Sequence, residues 1–143
     1  MADPILVDAN TFLYALGDEH PKRSAAQEVV RRAARGELQL HASVEAIQEV
    51  VHHRLRRVDR GQAVTAGRRC AHLCTMHPFD VVVMERALQL IEQIPTLRGR
   101  DAVHAATAAV HGLDTIISTD PDFDGIPGLR RIDPADLVAD PRS

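Results

Sequence analysis

Residues 4–8 read Pro-Ile-Leu-Val-Asp. Three consecutive apolar residues between a proline and an acid suit a short strand buried on both faces of a parallel sheet. A helix is expected directly behind it over residues 9–16, with Phe12, Leu13 and Leu16 on one side and Gly17 as its stop. The same strand–helix unit recurs outward from there. Pro21 opens a helix that runs to Gly36, and Leu38-Gln39-Leu40-His41-Ala42 alternates as a second strand. Ser43 is a good N-cap for a third helix, whose apolar stripe is expected at Val44, Ile47, Val51, Leu55 and Val58. A further helix is expected over residues 60–76, with Val64, Leu73 and Met76 inward. Residues 79–83 read as the third strand, residues 84–94 as a helix stopped by Pro95, and residues 99–111 as an alanine-rich helix ended by Gly112. Residues 115–119 form the fourth strand and residues 129–132 a fifth. Strands alternating with helices predict an α/β fold around a mainly parallel sheet of four or five strands. The chain reads as one domain over residues 1–143, with a core at about 4–134 and a C-terminal tail at 135–143.

Composition narrows the function classes. Of 143 residues, 45% are hydrophobic and 26% charged, so a packed core is expected rather than disorder. No apolar run approaches the ~18 residues of a membrane span. The first residues lack the basic and apolar regions of a secretory signal. Two cysteines are too few for a secreted disulfide scaffold, so a cytoplasmic protein is expected. Cys70, Cys74 and His77 share a helical face, but the usual structural zinc spacings are absent and buried thiols fit better. The net charge of -3 hides a pattern: residues 21–100 carry fourteen basic and eight acidic side chains, and both ends are acidic. A basic middle suits a polyanion, or only solvates two helices. Arg54, Arg56, Arg57, Arg60, Arg68 and Arg69 make up its densest part. The single lysine, Lys22, excludes phosphoacceptor domains and haloacid-dehalogenase phosphatases, which need a late lysine.

Open parallel sheets bind ligands beyond the carboxyl ends of their strands. Asp8 ends the first strand and Asp120 follows the fourth. Asp101 lies in the first turn of the helix leading into that fourth strand, at the same edge. Glu45 and Glu49 share a face of the third helix, and periodicity does not choose between them. Gathered carboxylates repel one another and are held together by a hard divalent cation such as Mg²⁺ or Mn²⁺. Such an ion beside a basic surface points to phosphodiester chemistry, since it acidifies water and neutralises phosphate charge.

Four segments carry a family resemblance: Ile5-Leu6-Val7-Asp8-Ala9-Asn10, Ser43 to Val50, Arg100-Asp101-Ala102-Val103-His104-Ala105-Ala106, and Ser118-Thr119-Asp120-Pro121-Asp122-Phe123. Together they resemble a PIN domain, specifically a VapC-type ribonuclease toxin of a toxin–antitoxin pair. The likeness runs from residue 4 to about residue 134. It implies a three-layer α/β/α domain with Asp8, Glu49, Asp101 and Asp120 as a catalytic and metal-binding quartet. Glu49 is preferred over Glu45 by its distance from Ser43. Asn10 and Thr119 resemble residues that brace the acids, Asp122 an outer acid, and Asp124 a weaker one. His104, on the face of Asp101, either contacts substrate, tunes that carboxylate or packs on the sheet. The resemblance further implies Mg²⁺- or Mn²⁺-dependent endonuclease action on RNA by metal-activated water. It also implies a VapB-type antitoxin as partner and a toxin homodimer, with no membrane. The rival expectation is a non-catalytic PIN-like module that binds RNA or protein.

Overall fold

The computed structural model describes residues 3–139. Five parallel strands form one sheet in the order β3-β2-β1-β4-β5. They are β1 (Pro4–Val7), β2 (Gln39–Ser43), β3 (Cys74–His77), β4 (Thr115–Ile117) and β5 (Arg130–Ile132). The helices are α1 (Ala9–Leu16), α2 (Arg23–Ala34), α3 (Val44–Arg54), α4 (Arg60–His72), α5 (Val81–Gln93), α6 (Gly99–Val110) and α7 (Pro134–Ala139). A single 3₁₀ turn spans Pro121–Phe123.

Neighbouring residues of the central strands feed opposite cores. Leu6 and Ile116 pack with Val83, Ala87 and Leu90 of α5 and Ala102, Ala105 and Ala106 of α6. Val7 and Ile117 pack with Phe12, Val29, Ala46 and Val50 of the helices on the other face. Both faces of the sheet are therefore covered, which is why β1 and β4 are apolar without alternation. The strand order reverses between β2-β1 and β1-β4, so the switch point lies beyond the ends of β1 and β4.

The third strand departs from expectation. It occupies Cys74–His77, and residues 81–83 begin α5 instead. The Asp80 carboxylate accepts the Val83 N–H at 3.0 Å and caps that helix. A local cap thus overrides the β propensity of three valines, of which only Val83 is buried. The helix expected over 60–76 accordingly ends at His72. The stripes shift too. In α3 the buried residues are Ala46 and Val50, while Val44 and Leu55 are exposed. In α4 they are Ala63, Gly67 and Cys70, with Val64 exposed. Small residues set this approach: a Cβ on Gly67 would sit 2.6 Å from Val51 Cγ2. The tail expected from residue 135 is helical through Ala139 and packs on α2, where Arg32 donates to the Leu137 and Val138 carbonyls at 3.5 and 3.3 Å. Residues 140–143 of that expected tail lie outside the described residues.

Candidate active site

Asp8 follows β1 and caps α1, because its extended backbone lets the side chain turn back onto the first helical turn. It is buried, at 3% exposure. Thr11 donates to Oδ1 from both its backbone N–H and its hydroxyl, each at 3.3 Å. The Ser118 hydroxyl donates to Oδ2 at 2.6 Å. Burial raises the Asp8 pKa above the usual carboxylate range, and these bonds together with His104 offset part of that rise.

Asp120 stands just past β4 and opens the 3₁₀ turn. Its backbone N–H donates to the Ser118 hydroxyl at 3.0 Å, and its Oδ1 accepts from the Asp122 N–H at 2.9 Å. Asp101 reaches the same edge from the first turn of α6. Asp101, Asp120 and Asp122 each bring a carboxylate oxygen within 4.8 Å of the others. The Asp101 pKa is pushed up to about 6, first by burial and then by the charge of Asp120, with smaller pushes from Asp122 and Asp8 and an opposing one from His104. Three hard oxygen donors whose charges repel are a donor set that suits a hard divalent cation.

Glu49 stands apart from that trio. Its Oε1 lies 3.1 Å from His104 Nε2, and His104 is buried at 2% exposure between α6 and α3. Of the alternatives for His104, tuning of Asp101 is seen, since its charge opposes the rise of that carboxyl; the contact with Glu49 is not among them. Glu49 and the exposed Asn10 line a cleft with His52, His53, Arg56, Arg57 and Arg100. The densest basic stretch therefore divides: Arg56 and Arg57 face this cleft, whereas Arg54 and Arg69 line a separate one with Asp59.

Two braces differ from expectation. The bonds expected from Asn10 and Thr119 are made instead by Thr11 and Ser118. Thr119 is buried, and Asn10 opens onto the cleft. Asp124 is drawn away by Arg131, which bonds both its oxygens at 2.9 and 3.1 Å and holds its pKa down. The thiols of Cys70 and Cys74 are pushed up to about 11 and about 12 by burial, so neither is poised as a thiolate ligand.

Comparison with known proteins matches the PIN domain family over residues 5–129. The chain belongs to the PIN domain family. Among relatives of this PIN domain, Ribonuclease VapC7 of Mycobacterium tuberculosis is 37% identical over 121 residues, which cover 83% of each chain. Ribonuclease VapC13 of the same organism is 31% identical over 90% of this chain and 98% of its own. Solved structures share the fold. DNA-bound VapBC from Salmonella typhimurium gives a TM-score of 0.72 at 15% identity, covering 94% of this chain and 99% of that one. Mycobacterium tuberculosis VapC20, described as a sarcin–ricin loop cleaving toxin, gives 0.70 at 18% identity, covering 88% and 98%. No helix among the described residues of this PIN domain is long and apolar enough to cross a membrane.

Ser118 is the residue that sequence reasoning missed. One hydroxyl donates to Asp8 and accepts from the Asp120 backbone, joining two acids of this PIN domain 112 positions apart. Replacing Ser118 with Ala leaves a buried carboxylate short of a donor, which costs about 1–3 kcal/mol. Chemical denaturation of the two proteins measures that loss. Without that donor the Asp8 pKa rises further, so the deficit is largest at neutral pH and shrinks as pH falls, and Ser118→Thr, which keeps the hydroxyl, recovers most of it.

Proposed function

We propose that this PIN domain is a Mg²⁺- or Mn²⁺-dependent endoribonuclease and the toxin of a toxin–antitoxin pair. The observation that carries the reading is the approach of Asp101, Asp120 and Asp122 beside buried Asp8, with the Asp101 carboxyl raised by its neighbours. Asp101, Asp120 and Asp122 would hold the ion, with Asp8 adding charge from behind. When bound, a divalent ion acidifies water and neutralises charge on a phosphodiester.

The chain's own residues supply the rest. Thr11 and Ser118 fix the Asp8 carboxylate in one orientation, and the Ser118 bond ties Asp120 to it. His104 anchors Glu49 at the mouth of the basic cleft, where the Glu49 carboxylate orients a water molecule toward the scissile phosphate. Arg56, Arg57 and Arg100 hold phosphates of the flanking RNA, for which the forked guanidinium is suited. The relatives named VapC and the neighbours solved as VapBC complexes support a VapB-type antitoxin as partner. A cytoplasmic setting and a homodimer belong to the same proposal.

The test is cleavage of cellular RNA by the partner-free chain and by Asp8→Asn, with Mg²⁺, Mn²⁺ or EDTA. The expected result is cutting by wild type with either metal, and none with EDTA or by the variant. A folded wild type that neither cuts RNA nor binds metal returns the chain to the binding-module reading.

A further inference from the structure

A second groove opens off the basic cleft, and Asn10, Leu13, His53 and Arg57 line both. Asn10, Leu13, Tyr14 and Gly17 fall at i, i+3, i+4 and i+7, so one face of α1 and its cap form the groove wall. Gly17 lets the chain turn closely over the end of α1, where a Cβ would sit 2.9 Å from the Leu13 carbonyl oxygen. That turn brings Asp18, Glu19 and His20 to the groove. The groove volume is about 350 Å³, within the ~300–1,000 Å³ of small-ligand sites. Tyr14 is the chain's one tyrosine, and there is no tryptophan. Its ring lies 4.8 Å from that of His20, tilted by 36°, and both rings line the groove. The Lys22 ammonium stands 5.4 Å from the Tyr14 ring centre, and the Lys22 backbone N–H holds the His20 ring by donating to Nδ1 at 3.1 Å. Asp18 and Glu19 are exposed, and they line the groove but not the cleft.

We propose that this groove is a base-reading subsite that takes an unpaired guanine of the RNA beside the cut. The proposal deepens the ribonuclease reading and rests on it. Arginines hold phosphates in the cleft, so a strand running past Asn10 reaches the groove. Two carboxylates there repel phosphate, and the strand therefore offers the groove a base. Unpaired bases stack on tyrosine and histidine rings and are read on the edge they use in base pairing. A carboxylate only accepts hydrogen bonds, through two oxygens. Guanine alone among the four bases sets two donors side by side on that edge, N1–H and the N2 amino group. Adenine and cytosine place a ring-nitrogen acceptor beside their amino group, and uracil flanks its N–H with two carbonyls. Each of those turns an acceptor toward the carboxylate, which lowers affinity by about 10-fold.

Fluorescence anisotropy of labelled single-stranded oligouridine carrying one guanine, inosine or adenine tests this, with the full chain in EDTA so that nothing is cut. Wild type is expected to bind the guanine oligomer about 10-fold more tightly than the adenine one. Inosine, which lacks the N2 amino group, falls between them. Asp18→Asn with Glu19→Gln abolishes the preference or moves it to adenine, because an amide sets one donor beside one acceptor. Tyr14→Ala weakens the guanine oligomer by about 5-fold or more, and Tyr14→Phe keeps the stack. If circular dichroism shows Tyr14→Ala unfolded, the exposed acid pair carries the test. Guanosine monophosphate competes poorly, because it lacks the flanking phosphates. Equal binding of the guanine and adenine oligomers by wild type overturns the subsite, as does undiminished guanine preference in a folded acid-pair variant. Guanosine monophosphate bound as tightly as the oligomer overturns it too, in favour of a mononucleotide site. Cut-site mapping in a mixed RNA pool keeps the two readings apart. Metal-dependent cutting with no guanine enriched near the cut removes the subsite and leaves the ribonuclease. Guanine-selective binding with no cutting under either metal removes the ribonuclease and leaves the groove as the reader of a binding module.

Discussion

Asp101→Asn is expected to lower RNA cleavage by at least about 10³-fold while leaving the metal-free fold as stable as wild type or more so. The two halves have one cause. Asp101 is held at about 6 by burial and by Asp120, above the ~3.9 of an unfolded aspartate. Between those pH values the folded chain binds more protons than the unfolded chain. Its stability therefore falls as pH rises through that window, and the loss is complete above about 6. Asp101 is only partly buried, so after solvent screening the effect is about 1 kcal/mol rather than the ~3 kcal/mol of a buried group shifted two units. Asn carries no charge and escapes it. Thermal melts in EDTA at pH 5 and pH 7.5 measure the difference. About half of the window lies above pH 5, so the midpoint of wild type falls by about 1–2 °C relative to the variant as pH rises. His41 and His77, lowered first by burial, titrate in both proteins and cancel from the comparison. Asp8, raised by burial, cancels only in part, because its charge and that of Asp101 act on each other. Millimolar Mg²⁺ raises the wild-type midpoint and leaves the variant's nearly unmoved. An unfolded variant would make Asp101 a structural residue, and a variant that still cuts would remove it from the chemistry.

Such a prediction is available because the acids were legible in the chain. Strand ends at Asp8 and Asp120, and a helix start at Asp101, share one sheet edge by topology alone. The sheet was legible for a related reason: β1 and β4 are apolar runs with no competing local signal. The third strand was not. Cys74–His77 alternates, with Cys74 and Met76 on the core, but over four residues directly behind a helix the pattern is too short to stand out. The valines after Asp80 imitate a strand that a single side-chain bond converts to helix. The bracing residues were also hidden. Ser118 acts on Asp8 across 110 positions, and His104 acts on Glu49 across 55. Neither contact has a local period, since each exists only once the sheet has formed. Asp124 shows the converse case: acidic and close in sequence to the cluster, it is drawn away by Arg131 of the edge strand.

Phe123→Ala is expected to be the most destabilising single change near the site, at about 3–5 kcal/mol. The side chain is fully buried, in the same core as Leu6, Ile116 and Ala105. That loss is a large share of the ~5–15 kcal/mol that holds a domain together. Its position gives it a second effect. Phe123 ends the turn that begins at Asp120, and its N–H donates to the Asp120 carbonyl at 3.3 Å. The ring is thus the anchor that keeps the Asp120 and Asp122 carboxylates near Asp101 against their own repulsion. Removing it loosens the acidic loop even in molecules that stay folded. Leu137→Ala separates the two effects, because Leu137 is buried in the core on the opposite face of the sheet. Both variants lower the urea midpoint, with Leu137→Ala costing about 2–5 kcal/mol. Only Phe123→Ala also loses the stabilisation that Mg²⁺ confers, and Phe123→Leu recovers most of it. Equal loss of the metal response in both variants would mean that the loop is held by global stability and not by this ring.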